Sequence, residues 1–160
     1  MNQLVESEFT QSESTITVKA GPKIGRFAGL ILQETEKSAL GSRFLFTSAP
    51  YADIGLSGHA LCGGYGTFGR SIGYLGDQIV SMTIVDSRGE LQYLDAETNG
   101  ELFRTILGSC TSAFGVVVTF TFRLWRLDGP YLTRTAFAAP SFVQGYHNQW
   151  GANRKVCSLL

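Results

Sequence analysis

Residues 115–125, GVVVTFTFRLW, most narrow what this chain can fold into. β-Branched and aromatic side chains run through them without a proline, which predicts one long strand opened by Gly115. The period of two would set Val116, Val118, Phe120, Phe122 and Leu124 on one face. Val117, Thr119, Thr121, Arg123 and Trp125 would take the other. The aromatic residues of this strand are expected in a core.

Other elements gather around it. Ile79 to Val85 is a second β-branched run, bounded by Asp86-Ser87-Arg88-Gly89 and answered by Leu91 to Leu94. That is the pattern of a hairpin turning near Arg88-Gly89, with Asp77 and Asp86 serving turns or caps instead of chemistry. Ile16 to Ala20 alternates and stops at Gly21-Pro22, so it reads as a short strand. Ile24, Phe27, Ala28, Ile31 and Leu32 recur at helical spacing and predict a helix over 23–37. Arg43 to Thr47 reads as a strand, and Asn99 is placed to cap a helix carrying Leu102, Phe103 and Ile106. Beyond Asp128-Gly129-Pro130, a strand over 131–138 and a helix over 141–150 are expected, with 154–160 loose. Hairpins beside helices make the class α+β.

Composition excludes more than it assigns. Thirteen basic and thirteen acidic residues cancel, so no basic excess supports a nucleic-acid partner. No apolar run is long enough for a membrane span, and the polar start lacks the pattern of a secretory signal, which weights the reading toward the cytoplasm. Cys62, Cys110 and Cys157 are odd in number and scattered, suiting free packing thiols in a reducing compartment. With only His59 and His147 and no paired ligand spacing, no metal site is expected.

The chemistry concentrates between Gly55 and Gly76, where eight glycines fall. Gly64-Tyr65-Gly66-Thr67-Phe68-Gly69 is a literal G-x-G-x-x-G, with Asp86 at a fitting distance. A nicotinamide fingerprint also requires a strand before it and a crossover after it. Here neither is present: the downstream segment is a hairpin. Two readings stand side by side, glycines that only permit tight bends and glycines that let backbone approach a flat, anionic cofactor.

Gly55-Leu56-Ser57-Gly58-His59 followed by Gly63-Gly64-Tyr65-Gly66 resembles the V-G-x-G-G-H…G-G-G-Y-G segment of the FAD-linked oxidases related to vanillyl-alcohol oxidase, in the berberine-bridge-enzyme-like branch. Gly69-Arg70-Ser71-Ile72-Gly73 with Asp77 is similar to the family's S-R-x-x-G…D. Asn99 to Phe103 is similar to N-P-D-L-F, and Phe114 to Leu124 to F-G-I-V-T-S-F-T-F-R-L. Ile16 to Gly21 is similar to V-x-V-x-A-G, so the likeness covers about residues 15–127. It implies the second half of a PCMH-type FAD-binding domain over 1–127, an antiparallel-rich sheet with flanking helices, and the start of a substrate domain over 128–160. It implies FAD and a small organic substrate as ligands. Gly55, Ser57, Gly58, His59, Gly63, Gly64 and Gly66 would lie along the cofactor, Tyr65 would face its reacting end, and the backbone at Val117 would reach it. His59 would do so as a histidine bonded to backbone near the loop before it acted as a base.

Three departures shape the expectation. The family's G-G-H-S segment, which often tethers flavin through histidine, precedes Met1 and is absent from the sequence. Tyr51 stands where many members carry a tethering cysteine, so FAD, if held, is held non-covalently. The family's G-G-G-G-N-F-G run is replaced by Ser109-Cys110-Thr111-Ser112-Ala113-Phe114-Gly115, whose side chains would crowd a ligand. The chain is thus expected to be FAD-linked oxidoreductase-like, passing substrate hydride to flavin with reoxidation by dioxygen in the intact family. The alternatives are a non-catalytic remnant or partner subunit without flavin, and a redox-neutral cyclase or isomerase. An isolated half-domain would also expose apolar surface that a homo- or hetero-oligomer could cover.

Overall fold

The computed structural model describes residues 7–10, 14–37, 43–110 and 114–127. The expected strand over 131–138, the helix over 141–150 and the substrate-domain start lie outside the described residues.

Five strands form one sheet in the order β1-β2-β6-β4-β5, every neighbouring pair antiparallel. They are β1 (Ser7–Thr10), β2 (Thr15–Lys19), β4 (Ile79–Val85), β5 (Leu91–Asp95) and β6 (Val116–Arg123). The helices are α1 (Ile24–Lys37), α2 (Leu56–Leu61), the single turn α3 (Gly69–Ile72) and α4 (Gly100–Ser109). β3 (Arg43–Leu45) pairs with β7 (Trp125–Leu127) as a separate two-stranded ribbon.

The run over 115–125 is therefore split between two strands. It breaks at Leu124, whose N–H donates to the Ser14 carbonyl at 2.7 Å, and Trp125 leaves the main sheet to pair with Leu45. Its faces also differ from strict alternation. Thr119 pairs with Thr83 but Val117 pairs with Ile84, leaving Val118 as an extra residue on β6. That bulge turns Val117 into the core and leaves Val116 63% exposed on the other face. A second irregularity leaves Val80 extra between Ile79 and Ser81.

One face of the sheet is apolar and covered. Ile16, Val18, Met82, Ile84, Leu94, Phe120 and Phe122 meet Ile24, Phe27 and Ile31 of α1, Leu56, Ala60 and Leu61 of α2, and Phe103 and Ile106 of α4 in one cluster. The hydrophobic effect holds these helices down, since the apolar stripe of each has no other face to bury against. The opposite face is rich in hydroxyls. Thr17 and Thr121 share a hydrogen bond of 2.9 Å there, and an open groove of about 620 Å³ runs past Thr83, Tyr93 and Arg123.

The β4–β5 turn is built by Asp86, as expected. Its Oδ1 accepts the N–H groups of Arg88 and Glu90 at 2.8 and 3.0 Å, and Gly89 takes φ +83°. The Glu90 N–H, ahead of the other donors, holds the Asp86 carboxyl below its usual range. Asn99 does stand at the start of α4, but its backbone is left-handed and its side chain makes no cap. The amide instead reaches the Tyr93 carbonyl at 3.5 Å.

Candidate functional site

The glycine-rich segment lies on the helix-covered side of the sheet, across from the hydroxyl-rich groove. Its position is fixed from both ends. The Leu56 N–H donates to the Pro22 carbonyl at 3.0 Å, while the Ile24 and Gly25 N–H groups donate to the Ile54 and Ala52 carbonyls. Two first-turn donors of α1, which have no partner inside the helix, are thus satisfied by residues 52 and 54. Downstream, Leu75 and Gly76 donate to the carbonyls of Gly64 and Gly63, each at 3.0 Å.

The glycines separate into two kinds. A Cβ at Gly66 would overlap the Ser48 carbonyl group and stand 2.7 Å from the Ser48 nitrogen. One at Gly64, where φ is +71°, would overlap the Leu75 side chain. These two are demanded by the protein's own packing. Gly55 and Gly58 are different: both are exposed, and a Cβ at either meets no protein atom within 4 Å. Gly58 sits inside α2, where glycine is less favourable than alanine by about 0.5–1 kcal/mol. Gly63 is likewise open around its Cβ direction but takes φ +93°.

Thr47, Ser48 and Ala49 run beneath this loop and are buried. The expected strand over 43–47 stops at Leu45, and Thr47 enters a buried polar network. Its Oγ1 donates to the Gly73 carbonyl at 2.7 Å, and its N–H to Gln78 Oε1 at 3.3 Å. Sequence reading missed Thr47 and Gln78, because a polar pair 31 residues apart leaves no periodic trace.

His59 is held from two sides. Its Nε2 accepts the Ala49 N–H at 3.1 Å, and a hydrogen bond joins it to the Tyr65 backbone. The acceptor role of Nε2 fixes the neutral ring with its proton on Nδ1. Its ring meets Tyr65 edge-on, centroids 5.8 Å apart. Tyr65 itself is 67% exposed at the loop. The Ser57 hydroxyl donates to the Ala20 carbonyl, so that side chain is spent within the protein. Val117, buried in the core, lies two residues after Gly115, whose Cβ would stand 2.7 Å from the Val85 carbonyl oxygen.

Burial pushes the His59 imidazole below the ordinary value of 6.5, against the opposing pull of the Tyr65 backbone bond. The unfolded chain then binds the proton more readily than the folded one. Stability contributed by neutral His59 is complete above about pH 6.5 and is lost as pH falls below it. Melting temperature should rise with pH up to that point, and His59→Ala should flatten part of the rise. An NMR titration should place the His59 imidazole below 6.5; a His59 titration at or above 6.5 would contradict this.

The free-thiol expectation fails for two cysteines. Cys62 and Cys110 are joined by a disulfide across 48 residues, with Cα atoms 4.1 Å apart. The fold brings the ends of α2 and α4 together, a proximity that an odd count of scattered cysteines does not reveal. Neither residue can then act as a nucleophile while bonded, and the thiol argument for a reducing compartment loses both. Tyr51 is exposed, and its phenol cannot form the thioether a cysteine would. Among the described residues no group of three or more His, Cys, Asp or Glu could hold a metal ion. No described helix is long and apolar enough to cross a membrane.

No protein-family model matches the chain. Individual proteins do. An FAD-linked oxidoreductase of Dictyostelium discoideum is 33% identical over 122 residues, which are 76% of this chain and 25% of that protein. The O-acetylstemmadenine oxidase of Catharanthus roseus is 34% identical over 116 residues, 72% of this chain and 20% of its own. The solved BBE-like 1 of Physcomitrella patens superposes with a TM-score of 0.68 at 26% identity, over 78% of this chain and 26% of that one. This chain belongs with the FAD-linked, berberine-bridge-enzyme-like oxidoreductases. It spans between a fifth and a quarter of the length of these two relatives. The observed antiparallel sheet with helices on one face is part of their PCMH-type FAD-binding domain, as the motif order implied. In this berberine-bridge-enzyme-like chain two of the segments that carried the resemblance, 55–66 and 114–124, hold α2 with the loop over residues 47–49 and strand β6.

Proposed function

We propose that the α2 face and the loop after it hold FAD non-covalently, as one side of an oxidoreductase site. The observation that carries this is the openness at Gly55 and Gly58. They lie three residues apart, hence on one side of the first turn of α2. No neighbouring atom requires glycine there, and helix propensity disfavours it at Gly58. A flat ligand lying against bare backbone gives both positions a reason.

Each residue then has a task. Gly55, Gly58 and Gly63 leave room for the ring system and pyrophosphate, with backbone N–H groups as their hydrogen-bond donors. Gly64 and Gly66 let the loop close on Leu75 and Ser48 without crowding. His59 is a positioning residue: its two ring nitrogens join residue 49 to residue 65, holding the loop at one height. Tyr65 presents its phenol to solvent at the loop, placed to hydrogen-bond a small organic substrate. Flavin supplies the redox chemistry when bound, accepting hydride from the substrate, and the protein contributes orientation and electrostatics.

Gel filtration of the chain after incubation with FAD tests this. Flavin absorbance should travel with the protein and be released on denaturation, because Tyr51 offers no thioether. Protein eluting colourless would favour the second reading, a partner subunit without flavin. One feature favours that reading: Leu91 and Val116, 70% and 63% exposed, lie in one cross-strand row through Val85.

A further inference from the structure

We propose that Cys62–Cys110 is a reversible redox latch between the glycine-rich loop and the end of α4, opened by a dithiol reductant. Both cysteines are exposed, so an external thiolate can reach the bond. Each closes a helix: Cys62 is the C-cap of α2, and Cys110 is the C-cap of α4 with a left-handed φ of +54°. Aligned on the motifs above, Cys62 stands at the first glycine of G-G-G-Y-G and Cys110 within the glycine run. Two positions carrying glycine in the family motifs are here a bonded pair, which a chance packing thiol would not explain.

The fold does not depend on the bond for its core. Leu61 and Ile106, one residue before and four before the two cysteines, are buried in the common cluster. Gly63 and Gly64 stay tied to Gly76 and Leu75 by backbone hydrogen bonds. The bond adds a covalent tie between the end of α4 and the start of the loop. Opening transfers two electrons: the reductant forms its own disulfide, and Cys62 and Cys110 become thiols, each gaining a proton. Closing returns the electrons to a disulfide oxidant. The latch stands independently of the flavin reading, since its readout needs no ligand.

Differential alkylation with mass spectrometry, joined to amide hydrogen exchange on the full chain, tests it. In non-reducing buffer the 62 and 110 peptides should be crosslinked. A dithiol such as dithiothreitol, without denaturant, should open the bond while circular dichroism stays native. Amides 107–110 and 62–64 should then exchange at least tenfold faster, and a disulfide oxidant should restore the slow rates. A bond that opens only in denaturant, or opens without changing those rates, overturns the proposal. So does loss of the native spectrum on reduction. The C62S/C110S variant should match the reduced protein; a match to the oxidised protein is contrary.

Discussion

Replacing Gly66 with alanine is expected to destabilise the fold by about 3 kcal/mol or more. The new methyl would enter the carbonyl group of Ser48, and it is backbone, not a flexible side-chain end, that must yield. Ser48 has little room to do so. It is flanked by Thr47, tied to Gly73 and Gln78, and by Ala49, whose N–H is held by His59. Moving it would disturb several buried hydrogen bonds at once. Urea denaturation should show a lowered midpoint with an unchanged slope. Gly58→Ala provides the contrast within the same segment: with open space and a helical position, it should be neutral or stabilising by up to about 1 kcal/mol. Equal losses in both variants would mean the two kinds of glycine are not distinct.

Phe27→Ala should cost about 3–5 kcal/mol. Phe27 is fully buried on α1, with Phe46 edge-on at 4.8 Å and the Phe122 ring at 5.1 Å. It joins three parts of the chain: the helix, the segment leading to the glycine loop, and the central strand. Deleting it leaves a void that these rings cannot all close. Phe27→Leu should recover more than half of the loss. Because the ring supports Phe46, three residues before His59's partner Ala49, truncation should also speed amide exchange across 46–49. A loss below about 1 kcal/mol would show that the packing at this junction is not as described.

Much of this architecture was legible because it repeats. The period of two in β4, β5 and β6 and the period near four in α1 and α4 named the elements and most of the core. What escaped lacks a period. β1 is four residues long, and its pairing with β2 decides it. α2 is obscured by Gly58 and by the glycines that follow. Val117 changed faces because a bulge inserts Val118, a consequence of register with β4 that one strand's pattern cannot contain. The disulfide required knowing that the ends of α2 and α4 meet.

The site divides the same way. Motif order pointed to Gly55, Gly58, His59, Gly63, Gly64, Tyr65 and Gly66, yet it could not say which glycines serve packing and which leave space. That distinction depends on Ser48 lying against Gly66 and Leu75 against Gly64, contacts made by the fold and not by sequence neighbours. Nor could it foresee that the Ser57 hydroxyl is spent on Ala20, or that His59 is committed to Ala49 and Tyr65.

The most direct measurement is a fluorescence titration of FAD into the full chain and its Gly58→Leu variant, each shown folded by circular dichroism. Saturable one-to-one binding by the wild type, weakened at least tenfold by the leucine side chain while stability holds, is the predicted result. Binding that is absent in the wild type, or equally tight in both, would contradict the account.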